Sequence, residues 1–373
     1  GSNQSKFSAV NTTYGLFWVS QVAGKIFNYG GEGLQEISKS GMRWWFAKYL
    51  PSELLKSFPD YKLFDNPVVG VGTQTMFDST YEILYITKKD YKPKYPIGVG
   101  ADQINLESDL ITFTFNGIPI QLTDSTYFED ASFTVSYDPK LKAWLSFHDW
   151  HPSFLLPGRT RFMSVAKSAN SNTDTIWKHN IDCTSYCNFY GVDYPFEVEF
   201  VSSTGQAVTS MRSIEYLLEV YTVHNDCRDK FHVLDQNFDQ AVIYNSEQIS
   251  GVLQLVLKGK SDPLGMLSFP QINPSSISIQ YSKEENKYRF NQFWDVTKNR
   301  GEFPPGFNLP MFLTSSNGYE YPINPLYVDY NKSPLERKKF RHHVNRVFLR
   351  RVNSGGYKFI FKISNQKLLQ SPR

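Results

Sequence analysis

Short apolar stretches broken by Gly, Pro, Asn and Asp mark the chain as a succession of strands and turns. Residues 16–20 (Leu-Phe-Trp-Val-Ser) and 25–29 (Lys-Ile-Phe-Asn-Tyr) are split by Ala23-Gly24 and closed by Gly30-Gly31, a spacing that predicts a hairpin. Further strands are predicted at 111–115, 161–166, 196–202, 214–223, 252–258, 276–281, 326–330, 346–351 and 357–363. The apolar spacing of 214–223 also permits a helix, but its flanks are strand-like and it is read as a strand. Two short helices are predicted. Ser52 is placed to cap a helix over 53–58, stopped by Pro59. Ser333-Pro334-Leu335-Glu336 has the residues of a capping box with Pro at the first helical position. It is expected to open a short basic helix over 337–343 that leads into the 346–351 strand.

One motif recurs. Phe77-Asp78-Ser79-Thr80 running into 81–86 matches Tyr137-Asp138-Pro139-Lys140 running into 141–146, at an offset of 60 residues. Each places an aromatic, an Asp, a turn and then a strand, and Asp suits a type I turn because its carboxylate caps nearby N–H groups. Looser echoes are Phe238-Asp239 and Tyr281-Ser282. Repeated strand–turn–strand units of this kind point to propeller blades or stacked hairpins. The fold class expected is therefore mainly β, propeller-like or multi-sheet, with a few short helices.

Composition sharpens that picture. Aromatic residues make up 16% of the 373, with 29 Phe, 23 Tyr and 7 Trp, which favours strands and large contact surfaces. Three cysteines do not make a disulfide scaffold. No run of about 18 apolar residues is present, so no helical membrane span is expected. The opening Gly1-Ser2 reads as the scar of a cleaved tag, and the chain as a fragment of something longer. Residues 1–13 are expected to be a disordered lead, 14–331 a β-rich domain, and 332–373 a basic helix–strand segment packed on it. That last segment holds twelve Lys/Arg against one acid, Glu336, for +11; the rest carries −8, and the whole is +3. Such a segment needs a counter-charge from its own domain, an acidic neighbour or nucleic acid. Arg337, Lys338, Lys339 and Arg341, with Phe303 and Phe307 from the Pro-rich 301–310 loop, are the candidate interface residues.

Catalytic chemistry finds little support. Ser146, His148 and Asp149 are close in sequence, but a triad assembles in space, and no G-x-S-x-G elbow or phosphate-binding glycine spacing is present. No cofactor is called for. His179, Cys183 and Cys187 are spaced by four, with His224 and Cys227 further on, which allows a zinc site; the competing reading is that the cysteines are small buried hydrophobes. Basic residues interleaved with Phe340, Phe348, Tyr357 and Phe359 allow contact with single-stranded nucleic acid, against the alternative of a strand with one charged face.

Residues 144–152 (Trp-Leu-Ser-Phe-His-Asp-Trp-His-Pro), continuing through Pro157-Gly158-Arg159 to Ile176-Trp177-Lys178-His179-Asn180, resemble virion structural proteins of crAss-like bacteriophages. Pro325-Leu326-Tyr327-Val328-Asp329-Tyr330 and Glu336–Arg341 are similar to the close of the same proteins, the tail stabilisation or muzzle components. The resemblance implies a closed ring of identical subunits around the DNA exit channel of a short tail. Its partners would be other copies of itself and neighbouring tail or portal-adaptor proteins, with non-specific contact to phage DNA. It implies no catalytic residues, and makes Trp144, His148, Trp150, Trp177 and His179 packing residues. The runner-up expectation is a carbohydrate- or receptor-binding tail domain, and the third is a hydrolase on a β scaffold.

Overall fold

The computed structural model describes residues 5–158, 162–167, 174–179, 186–203, 205, 207–223, 230–258, 271–273, 276–298, 312–314, 320–322, 328–333, 335–352 and 356–370. Contacts divide the chain into two compact units, Gly1–Ile181 with Phe189–Val192, and Asp182–Asn188 with Asp193–Arg373. The architecture is mainly β and multi-sheet, and the two α-helices among the described residues belong to the first unit.

In unit 1, β1 (Ala9–Thr12), β2 (Gly15–Ser20), β3 (Lys25–Gly30) and β4 (Gly33–Glu36) form an antiparallel meander. The hairpin read from the sequence is its centre, with Leu16 paired to Tyr29 and Ser20 to Lys25. Two helices follow, α1 (Arg43–Tyr49) and α2 (Glu53–Ser57). A second sheet contains β5 (Gly72–Asp78), β6 (Ile83–Lys89), β7 (Phe133–Asp138) and β8 (Ala143–His148), in the order β8-β7-β6-β5. Leu84, Ile86, Val135 and Tyr137 on one face pack against Phe17, Val19 and Ile26 of the meander and Phe46 of α1. Met76 and Tyr85 on the other face meet Trp150, Leu155 and Phe162. A sheet covered on both sides needs buried residues at successive positions, so β5, β6 and β7 are nearly continuous buried runs, whereas the edge strand β8 is half-buried to exposed.

Polar residues on the second face have assigned partners. The Gln74 side chain donates to the Ser153 carbonyl at 2.9 Å and accepts from the Leu155 N–H at 2.8 Å. The Thr134 hydroxyl donates to the Trp150 carbonyl at 2.8 Å. These bonds tie residues 150–155 to the sheet as if they were a further strand.

The repeat read from the sequence is a repeat of structure. Both copies are hairpins with four-residue loops, β5–β6 and β7–β8. Asp78 accepts from the Thr80 N–H at 2.9 Å, and Asp138 from the Lys140 and Leu141 N–H groups at 2.8 and 2.9 Å. Glu82 and Lys142, again 60 apart, close the two loops in the left-handed region, at φ 58° and 53°. The two hairpins lie side by side in one sheet rather than in separate blades. The looser echoes are different: Asp239 is engaged by Arg351 at 2.6 Å, and Tyr281 sits inside a strand.

The end of β6 holds the helices. Lys88 Nζ donates to the carbonyls of Tyr49 and Pro51 at 2.6 and 2.9 Å, satisfying the chain where α1 ends. Asp90 accepts from the Ser52 hydroxyl at 2.7 Å and from the N–H groups of Glu53 and Leu54 at 2.6 and 3.3 Å, at the start of α2. Ser52 in turn accepts from the Leu55 N–H at 3.2 Å, the cap expected from sequence. Lys88 and Asp90 pair with each other at 2.7 Å, and their side chains are 1% and 0% exposed. Burial pushes the Lys88 ammonium pKa down, and the Asp90 carboxylate works against that shift.

Unit 2 is dominated by one eleven-stranded sheet. Its main strands are β9 (Phe196–Ser203), β10 (Thr209–Val223), β11 (Gln240–Tyr244), β12 (Leu253–Leu257), β13 (Ser276–Glu284), β14 (Lys287–Phe290), β15 (Arg341–His342), β16 (Val344–Arg351) and β17 (Tyr357–Gln370). The order β9-β16-β11-β12-β13-β14-β10 is completed by β17 along one side of β10. The run that permitted a helix, 214–223, is thus the middle and end of the longest strand. The sheet curls into a half-barrel. Its edge strands β9 and β17 approach through Phe196 against Phe359 and Phe200 against Phe361, with ring centroids 5.7 and 5.8 Å apart. Inside the curl lie Ile214, Tyr216, Leu218, Ile243, Phe290, Phe340 and Val347, among others.

Three sequence expectations are corrected here, the first being that residues 9–12, expected in a disordered lead, are strand β1 paired with β2. Residues 335–343 contain no helix: Glu336 is in a turn, Lys338 bridges Asp295, and Arg341–His342 is β15. The capping-box bond itself forms, since the Ser333 N–H donates to the Glu336 carboxylate at 3.2 Å. The buried Gln248 side chain then claims the backbone that a helix would need. It accepts from the Arg341 N–H at 2.8 Å and donates to the Lys339 carbonyl at 3.1 Å. A cap contributes about 1 kcal/mol, whereas fully burying Phe340 is worth about 2–3 kcal/mol before these bonds are counted. Extended structure wins. Likewise the predicted strand at 326–330 reduces, in its described part, to a single bridge between Thr297 and Val328.

Asp90→Asn leaves the buried Lys88 ammonium without its counter-charge and is expected to destabilise unit 1 by about 3–5 kcal/mol in urea unfolding. Lys88→Met leaves Asp90 with three donors from Ser52, Glu53 and Leu54, so its loss should be clearly smaller. Equal losses would contradict the capping role given to Asp90.

Candidate functional site

The outward face of the β1–β4 meander is apolar. Residues of one face recur at every second position, and here the core takes Phe17, Val19 and Ile26. The opposite face then receives Leu16, Trp18, Phe27, Tyr29 and Leu34. Leu16 pairs with Tyr29 and Tyr29 with Leu34, so the three form one cross-strand row. They are 40%, 60% and 63% exposed. In the neighbouring row Trp18 and Phe27 stack at 5.4 Å and are half-buried. A solvated face of a small antiparallel sheet is ordinarily polar. Five large apolar side chains on contiguous strands give this sheet an exposed apolar face. Sequence reading found the hairpin but did not select this face; the signal was present in the apolar residues at both parities of 16–19.

The zinc candidates divide. Cys183, His224 and Cys227 lie outside the described residues. His179 is buried, and its ring stacks on Phe162 at 4.3 Å and 12°. Its Nε2 lies 2.7 Å from the Ser164 hydroxyl, which lies 2.9 Å from the Tyr190 hydroxyl. Burial pushes the imidazole pKa down to about 4, so the ring is neutral at pH 7. Cys187 is a free thiol whose pKa is raised by burial and, less, by Asp193. Among the described residues no three His, Cys, Asp or Glu side chains form a metal-holding group.

Of the aromatic residues singled out in the sequence, His148, Trp150, Trp177 and His179 pack in the cluster on the second face of the β5–β8 sheet, and Trp144 packs with Phe46 and Tyr137 on the first. Trp144 Nε1 donates to the Ile37 carbonyl at 3.3 Å and Trp177 Nε1 to the Ala166 carbonyl at 3.1 Å. Trp150 is 3% exposed and lies beside His148 at 5.2 Å. Its Nε1 and the His148 Nε2 are buried with no hydrogen-bond partner. Burial, with a smaller contribution from His151, lowers the His148 pKa to about 4.

The basic C-terminal segment lies in unit 2, where much of its charge is answered. Arg346 faces Glu199 at 3.5 Å, Arg350 faces Glu197 at 3.1 Å, Arg351 faces Asp239 at 2.6 Å and Lys362 faces Glu219 at 3.2 Å. Of the candidate interface residues, Lys338, Lys339 and Arg341 are exposed, flanking the buried Phe340 in extended alternation. Arg337 is half-buried and donates to the Lys332 carbonyl at 2.8 Å. Phe303 and Phe307 lie outside the described residues. Lys339 also lines a cleft of about 470 Å³ with Met211, Arg212, Ser213, Arg289, Asn291, Phe293 and Trp294.

No family model matches the chain, and comparison with curated proteins returns no match. Among the described residues no helix is long and apolar enough to cross a membrane. Fold and surface define a mainly β, multi-sheet protein with one apolar sheet face turned outward.

The buried histidines set a pH dependence. Each has a folded pKa near 4 against an ordinary 6.5, so the unfolded chain binds more protons between those values. Stability should be full above pH 6.5 and fall as pH drops towards 4, by at most about 3 kcal/mol per histidine at 1.36 kcal/mol per pKa unit. Urea midpoints at pH 7.5, 5.5 and 4.5 check this. His179→Gln should flatten the slope, and an unchanged slope would remove His179 from its cause.

Proposed function

We propose that this chain is a non-enzymatic structural subunit that acts by protein–protein assembly, as a component of a short bacteriophage tail in its muzzle region. The observation that carries the reading is the cross-strand row of Leu16, Tyr29 and Leu34, backed by Trp18 and Phe27, on a sheet whose other face is already core. Aromatic and aliphatic residues on rigid strands are the composition of the buried centre of an interface. The resemblance of residues 144–180 and 325–341 to tail stabilisation proteins supplies the particular setting, in which copies of the chain and neighbouring tail proteins are the partners. The aromatic residues of that stretch serve packing: Trp150 is core, and Trp144 and Trp177 bond backbone carbonyls.

Light scattering of the chain across concentration and salt tests the assembly. A mass above the 43.1 kDa of one chain, maintained at high salt, is expected if the apolar row makes the contact, whereas loss at high salt would assign it to the basic segment. Tyr29→Glu with Leu34→Lys should return the chain to monomer with its stability changed by about 0.5 kcal/mol or less, because both sites are exposed. A monomer at every concentration overturns self-assembly through this face.

A further inference from the structure

The cleft beside Lys339 has the chemistry of an anion site, and the strand register explains how it is built. Along one side of β10, Ser210 pairs with Arg341 of β15, and pairing resumes only at Ile214 with Phe290 of β14. The Met211 N–H still donates to the Phe340 carbonyl at 3.1 Å, so residues 212–213 border a gap between two strands. On its other side β10 has a bulge there: Met211 pairs with Leu368 and Ser213 with Lys367, leaving Arg212 as an extra residue. A bulge re-aims the side chain it carries, and Arg212 lines the gap. Its Nε is buried with no hydrogen-bond partner.

The rest of the lining points the same way. Arg289 and Lys339 join Arg212, and no acidic side chain lines the cleft. Glu215, opposite Arg289 in register, is taken by Lys287 at 3.2 Å. Ser213 and Asn291 add hydrogen-bond donors, and Trp294 adds a flat aromatic wall. Phe293 lies against Phe290 and Phe340 at 6.0 and 6.1 Å, an apolar backing that lowers the local dielectric. Three cations held together without an acid repel one another, in contrast to Arg346, Arg350, Arg351 and Lys362, each of which has its carboxylate. An oxyanion removes that repulsion. Arginine forks match phosphate geometry, and a base can stack on an indole.

We propose that this cleft binds a phosphate group carried on a nucleoside, with Arg212, Arg289 and Lys339 on the phosphate and Trp294 against the base. Its volume of about 470 Å³ suits a single nucleotide unit. The site lies wholly in unit 2 and does not depend on the assembly reading.

Calorimetric titration of the full chain with inorganic phosphate, adenosine monophosphate, adenosine and glucose 6-phosphate tests it. The monophosphate should bind more tightly than inorganic phosphate, adenosine should bind least, and raised salt should weaken every phosphate ligand. Arg289→Gln and Lys339→Gln, both at exposed positions, should each weaken the monophosphate about tenfold or more. Trp294→Leu should weaken the monophosphate but leave inorganic phosphate unchanged. A ten-residue oligothymidylate binding more tightly than the mononucleotide would identify a strand as the source of the phosphate. Glucose 6-phosphate binding as tightly as the nucleotide would overturn the role of the base. Absence of phosphate binding at millimolar concentration, or binding unaffected by the Arg289 and Lys339 variants, would overturn the site.

Discussion

Charges removed from water must meet partners of fixed geometry, and Lys88 and Asp90 turn that requirement into the organising joint of unit 1. A buried ion pair adds little net stability compared with apolar replacements, but it is strict about position. Here the pair sits at the end of β6, so the strand fixes both charges, and they fix the helices. Lys88 collects the carbonyls of Tyr49 and Pro51, and Asp90 collects the Ser52 hydroxyl and the first N–H groups of α2. With the helix ends held, Phe46 is delivered between the meander and the β5–β8 sheet. Gly24, at φ 62°, then lets the β2–β3 turn approach α1 so closely that a Cβ there would meet the Ala47 Cα at 2.7 Å. The outward presentation of Leu16, Tyr29 and Leu34 follows from this, because the same strands must give their other face to the core.

Unit 2 solves a different problem. A long basic stretch has to be folded into a sheet without leaving its charge unanswered. Strand alternation does this by placing Val347 and Leu349 inside while Arg346 and Arg350 reach Glu199 and Glu197 on the adjacent β9. Gln248 acts as one more piece of backbone, bonding residues 339 and 341 as a strand would. Beside Arg212, by contrast, no acidic side chain lines the cleft that Arg289 and Lys339 share.

Much of the β framework could be read from the chain. The 16–29 hairpin, the capped helix after Ser52 and the paired aromatic-Asp turns each rest on residues within a few positions of one another. Their causes are local: a side-chain oxygen reaching an N–H two or three residues on, or a turn that needs a particular φ. α1 was not legible, since Arg43-Trp44-Trp45-Phe46 is poor in strong helix formers and Met42 supplies no capping bond. It is held by Lys88, nearly forty residues away. The helix expected after Ser333 shows the reverse case, a sound local signal outweighed by the burial of Phe340 and the reach of Gln248 from 91 positions upstream.

What the sequence determined by itself was the β class, the turn chemistry and the uneven charge, because those depend on composition and on near neighbours. Only tertiary structure decided which apolar face is left outward, which cations keep an acid and which do not, and that His179 is spent on Ser164. Each of these is a contact between residues far apart in the chain. Their pairing is set by strand register, and a register one residue different would exchange every inward side chain for an outward one.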